Sequence, residues 1–290
     1  MQGYRTSILE IYEHAIETLV KCGIKRDVID YRMGYKKPRK PTAAFSEFLI
    51  NRQLGDWTES LFRTEVNKKL EGFKAVKYGA AGRLVVGDPK FNNFFENCHK
   101  EIKRIGKRPD LLIFKRKDLE DLKMPDDISE MESSCLQNVA KKAVVAIEVR
   151  SSKYYAATYK KVTRKEQSFT PKLEDLPILT HWIVEHEVPC FYTQIFFDEI
   201  YIISFEKILQ IIKETGNKYI GRMEKNQRKS TFYIPLSEGV CIGQITEDPE
   251  WEPKIEKLPD GRVIIYATPH GGKMNLDARA LSEYLKLEAF

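Results

Sequence analysis

The chain has 290 residues, of which 42% are hydrophobic, 11% aromatic and 31% charged, as is ordinary for a globular protein of one large or two small domains. Its 48 Lys and Arg residues exceed its 42 Asp and Glu residues, and the resulting charge of +6 suits a polyanionic partner but also a mildly basic soluble enzyme.

The cysteines and the apolar runs exclude several classes of protein. The five cysteines are odd in number, widely spaced and never in a CxxC pair, which argues against a disulfide framework and a structural zinc site. We therefore expect a reducing compartment, the cytoplasm. Residues 1–22 contain acids and lack the apolar centre of a signal peptide, and no run of 18 apolar residues predicts a membrane span.

The first part of the chain is predicted to be helical. Apolar residues recur at helical spacing over residues 7–20. The basic, proline-containing stretch 31–41 is typical of an exposed linker or of an arm that binds a nucleic-acid backbone. Thr42 can cap a helix that ends near Gly55, and Asp56 can open a second helix over residues 57–70.

The middle of the chain mixes strands and helices. A glycine-rich turn at residues 78–87 includes a strand-like segment, 83–86, and a helix is predicted over residues 91–105. Residues 191–203 favour one or two strands, after which Ser204 can cap a helix over residues 205–213.

From about residue 215 the pattern favours short strands. These are predicted at residues 231–234 and 240–245, and Asp260-Gly261 indicates a hairpin between 255–258 and 263–266. A helix over residues 276–287 follows. The order predicts an α/β (α+β) fold with a short mixed central sheet flanked by helices.

We expect one domain over residues 1–290. Its parts are a helical arm (1–54), a catalytic core (55–212) and a β-rich DNA-recognition subdomain (213–290).

Two short segments in the core carry most of the chemistry. In residues 108–114 Asp110 opens an apolar strand, and in residues 144–153 Glu148 interrupts another. A charge in an apolar strand is costly to bury unless it is paired or bound to a metal. Two such strands side by side would bring the carboxylates of Asp110 and Glu148, with the carbonyl of Val149, to one Mg²⁺ ion, which prefers oxygen ligands.

Pro109-Asp110 followed by Glu148-Val149-Arg150 resembles the PD-(D/E)XK nuclease superfamily. The resemblance implies that Asp110 and Glu148 hold Mg²⁺ and that a residue two beyond the acid assists the attacking water. That position is Arg150 rather than lysine; Arg150 shares a strand face with Glu148 but stays protonated, so it can stabilise phosphate charge without acting as a base. A bulge bringing Lys153 into the site, or a simple ion pair between Arg150 and an acid, are the alternatives.

Glu59 is a third candidate acid. Many nucleases of this superfamily carry an acid on the helix before the sheet, in contact with metal-bound water, and Glu59 lies in such a helix. The sequence Asp56-Trp57-Thr58-Glu59 equally fits a capping box. Asp88 is predicted to be a turn residue, with assistance to the metal site as the alternative.

Three basic clusters are candidate DNA contacts, because cations beside aromatic or amide side chains suit phosphates and base edges. Each also fits a solvated loop. The first cluster contains Lys153, Tyr154, Tyr155, Lys160 and Lys161. The second contains Lys225, Gln227, Arg228 and Lys229, and the third contains His270 and Lys273.

Longer stretches, such as residues 55–59, 106–114, 147–152, 169–176 and 196–209, resemble the AccI-like group of type II restriction endonucleases. The resemblance implies a bacterial homodimer that cuts double-stranded DNA at a short palindromic site, with two-fold protein symmetry matching that of the DNA. No phosphate-binding loop of the Walker type is present, so no nucleotide cofactor is expected. The alternatives are a structure-specific repair or junction nuclease and a non-catalytic DNA-binding protein on a decayed nuclease fold.

Overall fold

The computed structural model describes residues 2–35, 46–80, 89–163, 165–258 and 261–287. Its helices are α1 (Gln2–Lys21), α2 (Arg26–Ile29), α3 (Ser46–Lys69), α4 (Phe91–Ile105), α5 (Arg116–Leu122), α6 (Ser133–Ala140), α7 (Ala156–Thr163), α8 (Asp175–His186), α9 (Phe205–Thr215) and α10 (Ala278–Leu285). Its strands are β1 (Phe73–Lys77), β2 (Leu111–Lys115), β3 (Val145–Ser151), β4 (Ser168–Phe169), β5 (Cys190–Ile195), β6 (Glu199–Ser204), β7 (Ile234–Pro235), β8 (Val240–Glu247), β9 (Glu250–Lys257), β10 (Val263–His270) and β11 (Lys273–Leu276).

A mixed sheet forms the centre of the described chain, with strand order β1-β2-β3-β5-β6-β8-β11. Strands β3 and β5 are parallel, and the other neighbouring strands are antiparallel. The predicted fold class, a mixed central sheet flanked by helices, is confirmed. Strands β8 and β11, from the last quarter of the chain, complete this sheet.

Alternating side chains of the sheet pack into two apolar layers, because successive residues of a strand point to opposite faces. Ile147 packs in one layer with Phe62 of α3, and Ala146 packs in the other with Trp182 of α8. The central strands are therefore buried on both faces.

Helix α3 corrects the prediction of two helices separated at Gly55. It is one continuous helix over Ser46–Lys69, so Asp56 lies in its interior and does not cap a second helix with Glu59. A glycine in a helix interior costs roughly 1 kcal/mol but does not end the helix when packing holds both sides. Leu54 and Phe62, on either side of Gly55, are both buried.

Several other predicted elements are confirmed. Helix α4 has the predicted bounds, and the Ser204 hydroxyl caps α9 by accepting a hydrogen bond from the Lys207 amide. The C-terminal hairpin forms between β9 and β10 and is longer than predicted. The capping residue Thr42, the segment 83–86, Asp88, Asp260 and residues 36–41 of the basic stretch lie outside the described residues.

None of the described helices is long and apolar enough to cross a membrane.

Candidate functional site

Asp110 and Glu148 come together because β2 and β3 are adjacent antiparallel strands. Leu111 pairs with Ile147 in this register, so Asp110, just before β2, lies opposite Glu148, in the middle of β3. Asp110 Oδ2 accepts a hydrogen bond of 2.7 Å from the Val149 amide. The strand pairing therefore fixes one carboxylate beside the other.

The backbone of Asp110 is held as firmly as its side chain. The amides of Tyr78 and Gly79 both donate hydrogen bonds of 2.9 Å to the Asp110 carbonyl. A Cβ atom at Gly79 would lie 2.9 Å from the Asp110 Cα, closer than packed atoms approach, so Gly79 leaves the space in which Asp110 sits.

Glu148 is a buried acid with one satisfied oxygen and one orphaned oxygen. Its side chain is only 1% exposed, its Oε1 accepts from Lys107 Nζ, and Arg150 Nη2 lies 3.2 Å from the same atom. Its Oε2 is buried without a hydrogen-bond partner. Burial and the neighbouring Asp110 carboxylate raise the pKa of Glu148 to about 7. Such a group is costly to bury unless a further cation joins it.

Arg150 lies on the same strand face as Glu148 and also forms an ion pair with a second acid. Its Nη2 donates a 2.7 Å hydrogen bond to Oδ2 of Asp175, the first residue of α8. Burial would raise the pKa of Asp175, but the nearby cations, Arg150 first among them, together outweigh burial and hold that pKa below its usual range. Arg150 therefore bridges Glu148 and Asp175, as in the ion-pair alternative, while remaining next to the metal-binding candidate.

Lys153, the other candidate for the lysine position, has a different neighbour. It lies just beyond the end of β3, and its Nζ is 2.9 Å from Oε1 of Glu47 at the start of α3. Both side chains are exposed.

Glu59 extends from α3 toward the acid pair. With Asp56, Lys77 and Asp110 it lines a cavity of about 280 Å³. Burial, followed by the Asp110 carboxylate, raises the pKa of Glu59 to about 8. Asp110, Glu59 and Glu148 thus repel one another in this arrangement, and a bound cation would relieve that repulsion.

The sequence prediction missed Lys107, which lies against the acids from the loop between α4 and β2. Gly106 ends α4 with a φ of 82°, and a Cβ there would lie 2.3 Å from the Ile178 carbonyl, so only glycine allows this close approach. The Lys107 amide then donates to that carbonyl at 2.9 Å. Its side chain contacts Glu148 and lines the same cavity as Glu59. Burial alone would lower the pKa of Lys107, but the carboxylates of Glu148, Asp110 and Asp175 together outweigh burial and raise it.

The predicted DNA contacts lie on the surface, and several of them pair with acids. Lys160 is 2.5 Å from Glu166, Lys229 is 2.8 Å from Glu174, Lys273 is 2.5 Å from Glu247, and His270 is 4.0 Å from Glu250. Tyr155 donates its hydroxyl hydrogen to Asp248, while Tyr154 and Lys161 are exposed.

The second basic cluster borders a larger cavity of about 750 Å³. Lys225, Gln227, Arg228 and Lys229 line it on one side and Asp175 on another. Gln227 is partly occupied, because its side chain donates to the Gly23 carbonyl and accepts from the Lys25 amide. Asp175 connects this cavity, through Arg150, to the acid pair.

The acids fit a Mg²⁺ ion that takes part of its coordination from substrate and water. Within the described ranges no group of three or more His, Cys, Asp or Glu side chains is arranged to bind a metal ion. Mg²⁺ nevertheless binds nucleic-acid phosphates through one or two protein carboxylates plus waters. Asp110 and Glu148 are two such carboxylates, and the orphaned Glu148 Oε2 is an oxygen that lacks a partner.

A family model described as AccI restriction endonuclease matches residues 10–167 and 160–290 of this chain. The comparison with curated proteins and the comparison with solved structures give no match.

Proposed function

The chain belongs to the AccI restriction endonuclease family, and from this premise we propose that it is a type II, site-specific endodeoxyribonuclease. Its reaction would be Mg²⁺-dependent hydrolysis of phosphodiester bonds in double-stranded DNA. The observation that supports this most is the convergence of Asp110 with Glu148, whose Oε2 is buried without a partner.

In the proposed reaction, Asp110, Glu148 and the Val149 carbonyl would hold Mg²⁺, as in PD-(D/E)XK nucleases. Bound there, the ion would supply charge neutralisation at the scissile phosphate and a more acidic water. Asp110 is kept in place by the Val149 amide and by the amides that bind its carbonyl. Its contribution is a preorganised carboxylate that needs no rearrangement when substrate arrives.

Glu59 would act from the opposite side of the cavity. It lines the 280 Å³ cavity together with Asp110, and it lies inside α3, where it does not serve as a helix cap. We propose that Glu59 accepts a hydrogen bond from the attacking water and orients it toward phosphorus.

Arg150 is better suited to holding Glu148 than to activating water. A guanidinium stays protonated, and this one is already shared between Glu148 and Asp175. Lys153 is better placed to contact DNA beyond β3, since it lies on the surface at the end of that strand.

The DNA duplex would lie over the end of the sheet that carries Asp110. The three basic clusters would contact phosphates by exchanging their present acidic partners for DNA, a low-cost exchange because exposed ion pairs contribute little. We further propose a homodimer that cuts a short palindromic site, because two-fold symmetry places one active site on each strand.

We propose that residues 1–290 act as one nuclease domain in the bacterial cytoplasm. In this arrangement residues 55–212 carry the chemistry and residues 213–290 contribute DNA contacts.

The proposal is tested by incubating the purified protein with a long DNA of known sequence, with Mg²⁺ or with EDTA. We expect discrete fragments only with Mg²⁺, whose ends share one palindromic sequence. Selective cutting of branched DNA would instead support the repair or junction nuclease. DNA binding without any Mg²⁺-dependent product would support the decayed, non-catalytic protein.

A further inference from the structure

We infer that Lys107 is the catalytic lysine of this site, reaching the scissile phosphate from the loop before β2 rather than from the strand that carries Glu148. This inference rests on the proposed nuclease function and assigns a residue within it. Three observations support the inference. They are the contacts of Lys107, the cavity that Lys107 lines, and the partners that the other nearby cations already have.

Lys107 is the cation that both contacts Glu148 and borders the cavity with Asp110 and Glu59. Its side chain is 27% exposed and lines that cavity, whereas the Glu148 side chain beside it is buried. Three rotatable N–H groups allow it to contact Glu148 and a phosphate oxygen at the same time.

The other nearby cations lack one or both of these properties. Arg150 contacts Glu148 but is also bonded to Asp175 and does not line the cavity, and Lys153 is paired with Glu47 on the surface. Lys77 is 3.9 Å from Asp56, on the α3 side of the cavity. Among the described residues, Lys107 is therefore the cation to which we assign the role that the PD-(D/E)XK pattern gives to a lysine two residues beyond the acid.

The backbone around Lys107 is held in a fixed position. Gly106 adopts a conformation that brings the loop against α8, and the Lys107 amide is bonded to Ile178. A long flexible side chain that starts from a fixed backbone loses less freedom when it binds a phosphate. Arg150 and Asp175 are positioning residues, because Arg150 contacts Glu148 and is itself held by Asp175.

The chemistry that Lys107 would assist is the addition of water across one P–O bond. The water oxygen bonds to phosphorus, and the bond between phosphorus and the leaving sugar oxygen breaks. One water proton passes to solvent, and the leaving oxygen takes up a proton from solvent. Lys107 remains an ammonium throughout and stabilises the negative charge that builds on the phosphate oxygens.

The central experiment compares single-turnover DNA cleavage by Lys107→Met with that by Lys100→Met, which removes an exposed lysine of α4. We expect Lys107→Met to cleave about 10²- to 10³-fold more slowly, the usual effect of losing one preorganised electrostatic contact. Lys100→Met should match the wild type. Cleavage by Lys107→Met within a few-fold of the wild type would overturn the inference, and faster cleavage would show that Lys107 only occupies a cation site.

A chemical rescue separates this role from a structural one. Lys107→Cys in a Cys98→Ser background would be treated with bromoethylamine, which rebuilds a lysine-like side chain at position 107. We use Cys98→Ser because Cys98 lines the same cavity. Treated Cys98→Ser protein is the control for alkylation of the exposed cysteines. We expect at least a tenfold recovery of cleavage, and no recovery in a folded protein would count against the inference.

DNA binding in EDTA gives a readout that does not depend on turnover. If Lys107 contacts a phosphate, Lys107→Met should reduce the slope of log affinity against log salt by about 0.9, the value for one lost contact. An unchanged slope would contradict contact with DNA. A wild-type protein that binds but never cuts would overturn the nuclease proposal itself, whereas a cutting wild type with an equally active Lys107→Met would overturn only the role of Lys107.

Discussion

The buried charges around Asp110 and Glu148 and the basic clusters on the surface are two very different sets of charges. Glu148 and Asp175 are buried, and Lys107 and Arg150 bind them at fixed positions. The surface pairs, such as Lys229 with Glu174 and Lys160 with Glu166, involve exposed lysines that water also solvates. Glu148, Arg150 and the surface lysines were all expected from sequence to serve one function, but the buried and the exposed charges obey different energetics.

The difference indicates which charges are fixed for chemistry and which are free to change partners. A buried charge without enough partners is expensive, and one oxygen of the buried Glu148 has no hydrogen-bond partner, which is the basis for proposing a ligand there. An exposed ion pair contributes between about 0 and 1 kcal/mol, so a DNA phosphate can replace its acid at little cost. Catalysis is therefore expected from the first set and affinity from the second.

Removing one cation from each set tests the comparison most strongly. Arg150→Met should lower the free energy of unfolding by about 3 kcal/mol or more, because it leaves Glu148 and Asp175 buried with too little positive charge. Lys229→Met breaks an exposed pair and should cost about 1 kcal/mol or less. Urea unfolding measures both. Equal losses in the two variants would mean that burial does not separate the two sets.

A second test moves the Asp110 backbone without changing any charge. Gly79→Ala places a methyl group 2.9 Å from the Asp110 Cα and 3.2 Å from its Oδ1, so Asp110 must shift. We expect cleavage to fall by about 10²-fold, the scale of a 1 Å misplacement in an active site.

The matched control for that variant is Gly55→Ala. A Cβ at Gly55 meets nothing within 4 Å, and the residue lies inside α3. It should raise the free energy of unfolding by about 0.5–1 kcal/mol and leave cleavage unchanged. If Gly79→Ala cleaves as fast as Gly55→Ala, the placement of Asp110 is less critical than the geometry implies.

The surface set predicts a smaller effect, on affinity alone. The double variant Lys160→Ala/Lys161→Ala should weaken DNA binding equally for all sequences and lower the salt slope by about 0.9 for each lost phosphate contact. Cleavage at saturating DNA should not change. Lys117→Ala, on α5 beyond the far end of β2, is the control. A slower cleavage step at saturating DNA would place the first cluster among the reacting groups instead.

The smallest effect concerns a buried group outside the acid cluster. Burial lowers the pKa of His186 below its usual 6.5, so the folded protein binds fewer protons at this site than the unfolded chain. Its contribution to stability is therefore complete above pH 6.5 and is lost as the pH falls through the lowered value.

His186→Phe keeps a ring stacked on Trp182 but cannot take up a proton. In urea unfolding at pH 7.5 and pH 5.5 it should lose less stability on acidification than the wild type. Some loss should remain, because burial also lowers the pKa of His181. An unchanged pH dependence would mean that His186 is not kept neutral by burial.

Local patterns were sufficient to predict much of the fold. The bounds of α4, the Ser204 cap and the β9–β10 hairpin follow from periodicity, capping chemistry and turn residues, which act over a few positions. The break predicted at Gly55 was wrong because tertiary packing on α3 outweighs the low helix propensity of glycine.

The site was predictable only in part, because its contacts are long-range. Asp110 and Glu148 stand out in sequence, since acids are rare in apolar strands. Lys107 and Asp175 carry no such signal: each lies in an ordinary polar stretch and reaches Glu148 or Arg150 only through the pairing of β2 with β3 and the position of α8. Patterns that relate residues about four positions apart cannot predict contacts between residues 25 or 41 positions apart.

The central claim is that Asp110, just before β2, and Glu148, in β3, act together with a divalent metal to cut DNA. The most direct test measures cleavage of one defined fragment by the wild type and by Asp110→Asn, each over a series of Mg²⁺ concentrations, after unfolding curves have shown both to be folded. The account predicts Mg²⁺-dependent cleavage by the wild type and a loss of at least about 10³-fold in the variant at every concentration. Cleavage by Asp110→Asn at the wild-type rate, or cleavage by the wild type in EDTA, would contradict it.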